Sequence, residues 1–221
     1  MPYQASQNFP ADYFRRADES ADELFYREPR KVVHIDEGAI AAASQLYGEL
    51  LPGGGHVLDL MSAWRSHLPA SYSPGKVTGL GMNADEMADN PQLSDYVVHN
   101  LNVNPELPFA DQQFDGAICT VSVQYLINPV TLFKDVSRVL KPGAVFVMTY
   151  SNRCFPTKAV AVWQSTSMDQ KAVLLTTYLS AAGFGNIQSA DRSVKAKRSG
   201  WFGASNDPLL GVWGYRPAVE G

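Results

Sequence analysis

Apolar residues recur at helical spacing from Glu37 to Leu51, at Ile40, Ala43, Leu46, Tyr47 and Leu50, until Pro52 and Gly53, Gly54 and Gly55 stop the pattern. The segment His56-Val57-Leu58-Asp59-Leu60 follows as a short apolar run ending near an acid, the pattern of a buried parallel strand. Lys76 to Gly81 and Tyr96 to His99 predict a second and a third strand, with a short helical piece around Asp85 to Asp89 between them. Beyond a turn-rich stretch holding Asn104, Pro105 and Pro108, Phe114 to Val121 predicts a fourth strand, and Pro129 to Leu140 an amphipathic helix ended by Lys141-Pro142-Gly143. Ala144 to Tyr150 is nearly continuous apolar sequence, as in a strand covered on both faces, and Asp169 to Ala182 returns to helical spacing before Gly183. Asn186 to Ser193 and Leu210 to Tyr215 predict a closing strand pair without a clear helix between them. The succession implies an α/β fold with a mainly parallel sheet and an antiparallel end.

Composition narrows the function classes. With 221 residues, 45% hydrophobic and 18% charged, the chain is long enough to bury one substantial core and is expected to form one domain. A net charge of −4 gives no general attraction to a phosphate backbone, so nucleic acid is not an expected partner. The basic cluster Lys195, Lys197 and Arg198 is expected to be a solvated loop. Cys119 and Cys154 form no Cys-x-x-Cys pair, which suggests neither a zinc site nor a disulfide framework. No run of 18 apolar residues occurs and Met1 to Arg16 lacks a signal-like stretch, so the expected setting is the cytoplasm, away from membranes.

The order of elements and several local segments resemble the class I S-adenosylmethionine-dependent methyltransferases, especially the type 11 group, over roughly residues 40 to 216. Val57-Leu58-Asp59-Leu60 is similar to that group's first motif strand, and Leu107-Pro108-Phe109-Ala110-Asp111-Gln112-Gln113-Phe114-Asp115 to its segment entering the fourth strand. Val136-Ser137-Arg138-Val139-Leu140-Lys141-Pro142-Gly143-Ala144 is similar to its helix-to-fifth-strand junction. Ala182-Gly183-Phe184 and Asp207-Pro208-Leu209 resemble the segments before its last two strands. The resemblance implies a Rossmann-like, seven-stranded sheet with an antiparallel terminal strand and helices on both faces. It divides the chain into an N-terminal helical cap or lid, residues 1–50, and a core, residues 51–221. It also implies S-adenosylmethionine as cofactor and an acceptor that is a small molecule; it fixes no oligomeric state and calls for no metal.

Ligands of open α/β sheets sit at the carboxyl ends of strands, where strand order reverses. By resemblance the cofactor site includes Asp59, Met61, Ser62 and Ala63 after the first strand, Gly81, Met82 and Asn83 after the second, Asn100 and Leu101 after the third, and Thr120 and Val121 from the fourth, with Ser122 in the same cleft. Three positions depart from the family pattern. The glycines of the first loop are replaced by Met61, Ala63 and Arg65, so a positive φ there becomes costly and the loop is expected to take another path. Ser62 and Ser66 are expected either to donate to the cofactor carboxylate, aided by the start of a following helix, or, for Ser62, simply to cap that helix. Gly81 stands where the family has an acid for both ribose hydroxyls, with Asn83 as its expected substitute. Asn100 stands where type 11 members often have an acid for the adenine amino group; it is expected either to accept that bond or to hold a turn.

Methyl transfer needs an acceptor aligned behind the sulfonium methyl, and a base only where the acceptor must lose a proton. His34 is the candidate base, with Tyr125 beside it on the acceptor side. The segment Phe25 to Asp36 is expected to close over the cleft, with Tyr26 covering it, Arg30 either pairing with the cofactor carboxylate or standing at the surface, and Asp36 capping the next helix. Gln124, Tyr125 and Ser151 to Pro156 are expected to face the acceptor, while Cys154, His67 and His99 are expected to be structural. A dinucleotide oxidoreductase is disfavoured because Asp59-Leu60-Met61-Ser62-Ala63-Trp64 has no Gly-x-Gly-x-x-Gly turn, and a serine hydrolase because no Gly-x-Ser-x-Gly elbow occurs. The remaining alternative is a methyltransferase-like protein that binds or regulates without catalysis.

Overall fold

A computed structural model describes residues 9–194 and 206–218; the basic cluster at Lys195, Lys197 and Arg198 lies outside them. Seven strands form one sheet in the order β3-β2-β1-β4-β5-β7-β6. They are β1 His56–Leu60, β2 Lys76–Gly81, β3 Asp95–Val98, β4 Phe114–Thr120, β5 Leu140–Tyr150, β6 Gly185–Asp191 and β7 Leu210–Tyr215. All pairs among β1 to β5 are parallel, whereas β7 runs antiparallel to both β5 and β6. The central strands are apolar on both faces because helices cover both faces.

The helices are α1 Asp22–Phe25, α2 Glu37–Leu50, α3 Ala84–Ala88, α4 Pro129–Val139, α5 Ala161–Gln164 and α6 Met168–Ala181. Leu58, Leu60, Ala117 and Cys119 face one side of the sheet and pack with Leu132, Phe133, Val136 and Val139 of α4 and Leu175, Tyr178 and Leu179 of α6. Val57, Ile118, Val145 and Val147 face the other, against Ala39, Ala43, Leu46 and Tyr47 of α2. The alternation of sides along β1 and β4 is the two-residue period of a strand. Within residues 1–50, α2 is part of the core layer, while Phe9 and Phe14 pack against Tyr178 of α6. No helix among the described residues is long and apolar enough to cross a membrane.

Local boundaries differ where backbone pairing overrides composition. The helix expected to run to Leu140 ends at Val139, because Leu140 already pairs with Phe114 and opens β5. Lys141, Pro142 and Gly143 therefore belong to the exposed start of that strand, where Gly143 takes φ 79° and donates to the Arg216 carbonyl. The larger difference lies after β1: no helix forms between Met61 and Gly75. This loop contains Pro69 and Pro74, which remove backbone donors, and its polar groups are satisfied by other parts of the chain, as described below.

Candidate active site

Strand order reverses between β1 and β4, and a cleft of about 1210 Å³, open mouth included, lies at the carboxyl ends of β1 to β4. Met61, Ser62 and Ala63, then Gly81, Met82 and Asn83, then Asn100 and Leu101, line it from three successive strand ends. Val121 lines it after β4, and Tyr26, Arg30, His34 and Tyr125 close it from the other side. Asp59 and Thr120 do not line it. Their side chains point to the α2 face of the sheet, where Thr120 Oγ1 bonds the Tyr47 hydroxyl at 2.7 Å. Trp64 also stays out of the cleft, its indole N–H donating to the Val32 carbonyl at 2.9 Å.

The first loop keeps a left-handed turn without glycine. Met61 takes φ 58°, and the Ser62 N–H then donates to the Leu80 carbonyl at 2.8 Å, extending the β1–β2 pairing by one residue. Across the switch point, Val121 takes φ 47° while its N–H is held on the Thr149 carbonyl at 2.9 Å. Positive φ at a β-branched residue stores strain of about 1–3 kcal/mol, and such strain concentrates at functional sites. The hydroxyls of the two serines are donated within the protein. Ser62 and Ser66 both donate to Asp59 Oδ2, at 2.7 and 2.6 Å, and Asn90 Nδ2 supports the loop through the Ala63 carbonyl and Ser66 Oγ. Since no helix follows, neither the expected anion site at its start nor the expected cap at Ser62 exists. Burial of Asp59 raises its carboxyl to about 6, with the two hydroxyl donors acting in the opposite direction.

Gly81 follows from the same loop path. A Cβ added at Gly81 would stand 2.1 Å from the Ser62 carbonyl oxygen, so no acid fits at this strand end while the loop lies across it. The path of the first loop and the bare backbone at this strand end are thus one structural feature. Asn83 lines the cleft with its side chain anchored at both ends: its Oδ1 caps α3 by accepting from the Glu86 N–H at 3.0 Å, and its Nδ2 donates to the Tyr26 and Arg27 carbonyls at 3.0 and 3.2 Å. Asn100 is likewise a turn residue, its Oδ1 accepting from the Asn102 and Val103 N–H groups and its Nδ2 donating to Glu23.

Residues 26–36 cross the cleft as a strap tied mostly through its backbone. Besides the Asn83 and Trp64 bonds, the Arg30 N–H donates to Glu86 Oε1 at 2.5 Å and Lys31 pairs with Asp89. Asp36 and Asp207 exchange backbone-to-carboxylate bonds, and Asp36 caps α2 through the Ala39 N–H, as expected. The Arg30 guanidinium lies 4.3 Å from the Phe25 ring centroid, also donating to the Phe25 carbonyl, and 5.4 Å from the Phe155 ring. Upstream, the fully buried Lys158 Nζ is 3.1 Å from Asp18 and 3.4 Å from Asp22, and Arg16 pairs with Asp22 at 2.7 Å.

On the acceptor side, the Tyr125 hydroxyl accepts from the Phe155 N–H at 2.9 Å, holding the loop after β5, and burial pushes its pKa up to about 12. His34 packs edge-on against Phe155, ring centroids 5.1 Å apart, and burial followed by nearby Arg30 lowers its pKa, partly offset by Glu86. His34 is therefore neutral near pH 7 and able to take a proton, whereas Tyr125 keeps its own. Burial raises the Cys154 thiol, which remains a thiol at neutral pH. His67, lowered to about 4 by burial, and His99, bonded to the Asn104 carbonyl, hold loops. Asp22, Glu86 and Asn102 line the cleft without having been singled out from the sequence. The Asn83-x-x-Glu86 spacing, an N-cap signature, was the available signal for Glu86.

Residues 52–148 match the methyltransferase domain family. The chain is similar to the biotin biosynthesis bifunctional protein BioHC of Teredinibacter turnerae, with 27% identity over 63% of this chain and 26% of that protein. It spans about a quarter of the length of the curated relatives it matches. Among solved structures, the [4+2]-cyclase SpnF superposes with a TM-score of 0.59 at 16% identity, over 89% of this chain and 92% of that one. Phosphoethanolamine N-methyltransferase 2 of Haemonchus contortus, solved with S-adenosyl-L-methionine, superposes with a TM-score of 0.55 at 14% identity, over 80% and 52%.

Proposed function

From a chain whose residues 52–148 match the methyltransferase domain family and which has the Rossmann-like fold of class I methyltransferases, we propose that the protein transfers a methyl group from S-adenosylmethionine to a small-molecule acceptor. The observation that carries this reading is the roofed cleft at the switch point between β1 and β4, lined from three successive strand ends where a nucleoside binds in open α/β sheets. Strained backbone at Met61 and Val121 on either side of that point adds support. The cofactor supplies a methyl carried on a sulfonium. Leu80, Leu101 and Met82 offer the apolar surface that the base and sugar need, and Arg30 and Arg153 are the cations lining the cleft for the carboxylate. His34, neutral and in the cleft, takes the proton of an acceptor that must lose one. Tyr125 acts by position, fixing Phe155 and with it the acceptor wall.

A second reading, a ligand-binding protein without methyl transfer, draws on one observation: Ser62, Ser66, Asn83 and Asn100 are all committed to internal bonds. The two readings separate in one experiment. Incubation with methyl-labelled S-adenosylmethionine and a pooled metabolite extract, followed by mass spectrometry, is expected to reveal a labelled small molecule whose formation falls at least tenfold in His34→Ala. Bound cofactor with no labelled product would favour the second reading.

A further inference from the structure

We propose that Glu86 is the carboxylate that reads the ribose of the bound nucleoside, in place of the acid that Gly81 excludes. The inference rests on the proposed cofactor and goes beyond it by assigning a residue. A vicinal diol in a Rossmann-type site is recognised by a carboxylate near the end of the second strand, because ionised acceptors make the stronger bonds to hydroxyl groups. At Gly81 itself a side chain collides with the Ser62 carbonyl at 2.1 Å. Two acids line the cleft among the described residues, Asp22 and Glu86. Both Asp22 oxygens are engaged inward: Oδ1 pairs with Arg16 and Lys158, and Oδ2 accepts from Asn102 Nδ2 at 2.9 Å. Asp59 is bonded by Ser62 and Ser66 outside the cleft. Glu86, by contrast, is half-buried at the third position of α3, five residues beyond Gly81, and turns its carboxylate toward the strap, where Oε1 accepts from the Arg30 N–H.

The same contact gives Glu86 a second consequence. Its carboxylate would hold sugar and strap together, so that a bound diol and the roof over the cleft share one acceptor. Loss of the charge therefore weakens nucleosides with the hydroxyls more than those without them, a difference that a purely structural role for Glu86 does not produce.

The test is calorimetric titration of wild type and Glu86→Gln with S-adenosylhomocysteine and with its 2′-deoxy and 3′-deoxy forms, folding being checked by circular dichroism. Wild type is expected to bind S-adenosylhomocysteine roughly 10- to 100-fold more tightly than Glu86→Gln, the loss of a charged acceptor, and the gap is expected to shrink to within about threefold for at least one deoxy form. Equal affinity of both proteins for the parent ligand overturns the assignment and leaves the cofactor reading intact. A gap of the same size for all three ligands also overturns it, by making Glu86 a strap residue only. Absence of binding by wild type overturns both readings.

Discussion

At the scale of single residues, the cleft is shaped by side chains that bond to each other. Asp59 accepts from two serine hydroxyls beneath the first loop, and its burial raises the carboxyl from 3.8 to about 6. The folded state therefore holds a proton that the unfolded chain releases between about pH 4 and 6. The stability this group contributes is full below that window and lost as pH rises through it. Asp59→Asn should match wild type near pH 4 and exceed it by roughly 3 kcal/mol at pH 7, measured by paired urea titrations at the two pH values; an unchanged difference between them would contradict the protonation argument. At Gly81 the prediction is opposite in sign. Gly81→Ala sets a methyl group against the Ser62 carbonyl and should cost about 2–3 kcal/mol in the same assay, through overpacking and loss of the Ser62-to-Leu80 bond. From sequence, Gly81 reads as a missing acid. That an acid is sterically barred there depends on the path of a loop fifteen and more residues upstream, which no local pattern encodes.

Among elements, the central strands β1, β4, β5 and β7 are legible because each is a largely apolar run bounded by turn residues, and α2, α4 and α6 because their apolar spacing continues for at least 11 residues. What escapes is structure held by tertiary contacts. The short α1 and α5 have too few residues for a period, and the helix expected after β1 is displaced by bonds from Asn90 and to Asp59. The strap is similar: its aromatic and basic composition marks residues 25–36, but its attachment by backbone carbonyls at Tyr26, Arg27 and Val32 does not show in side-chain identity. Just upstream, its anchor is the buried Lys158 among Asp18, Asp22 and the Ser20 carbonyl. Lys158→Met leaves buried Asp22 with Arg16 alone as its cation and should cost about 3–5 kcal/mol. Trypsin should then cut at Arg27 or Arg30 in the variant well before it cuts wild type; equal protection would show that the strap is held without this clasp.

For the whole molecule, the fold sets where chemistry can occur and the strap sets what surrounds it. The succession of strands and helices is legible in the sequence, whereas their order in the sheet, which places a crevice between β1 and β4, is a property of the folded chain, as are the roof and the interlocked floor. On the proposed function, an adenosine-bearing ligand lies in that crevice despite the non-glycine loop. The most direct measurement is a crystal structure of the protein grown with saturating S-adenosylhomocysteine. Ligand density is expected between Met61–Ala63 and Leu101, with the sugar beside Glu86 and the amino-acid arm beneath Arg30. An empty crevice at saturating ligand, or density only at another surface, would contradict it.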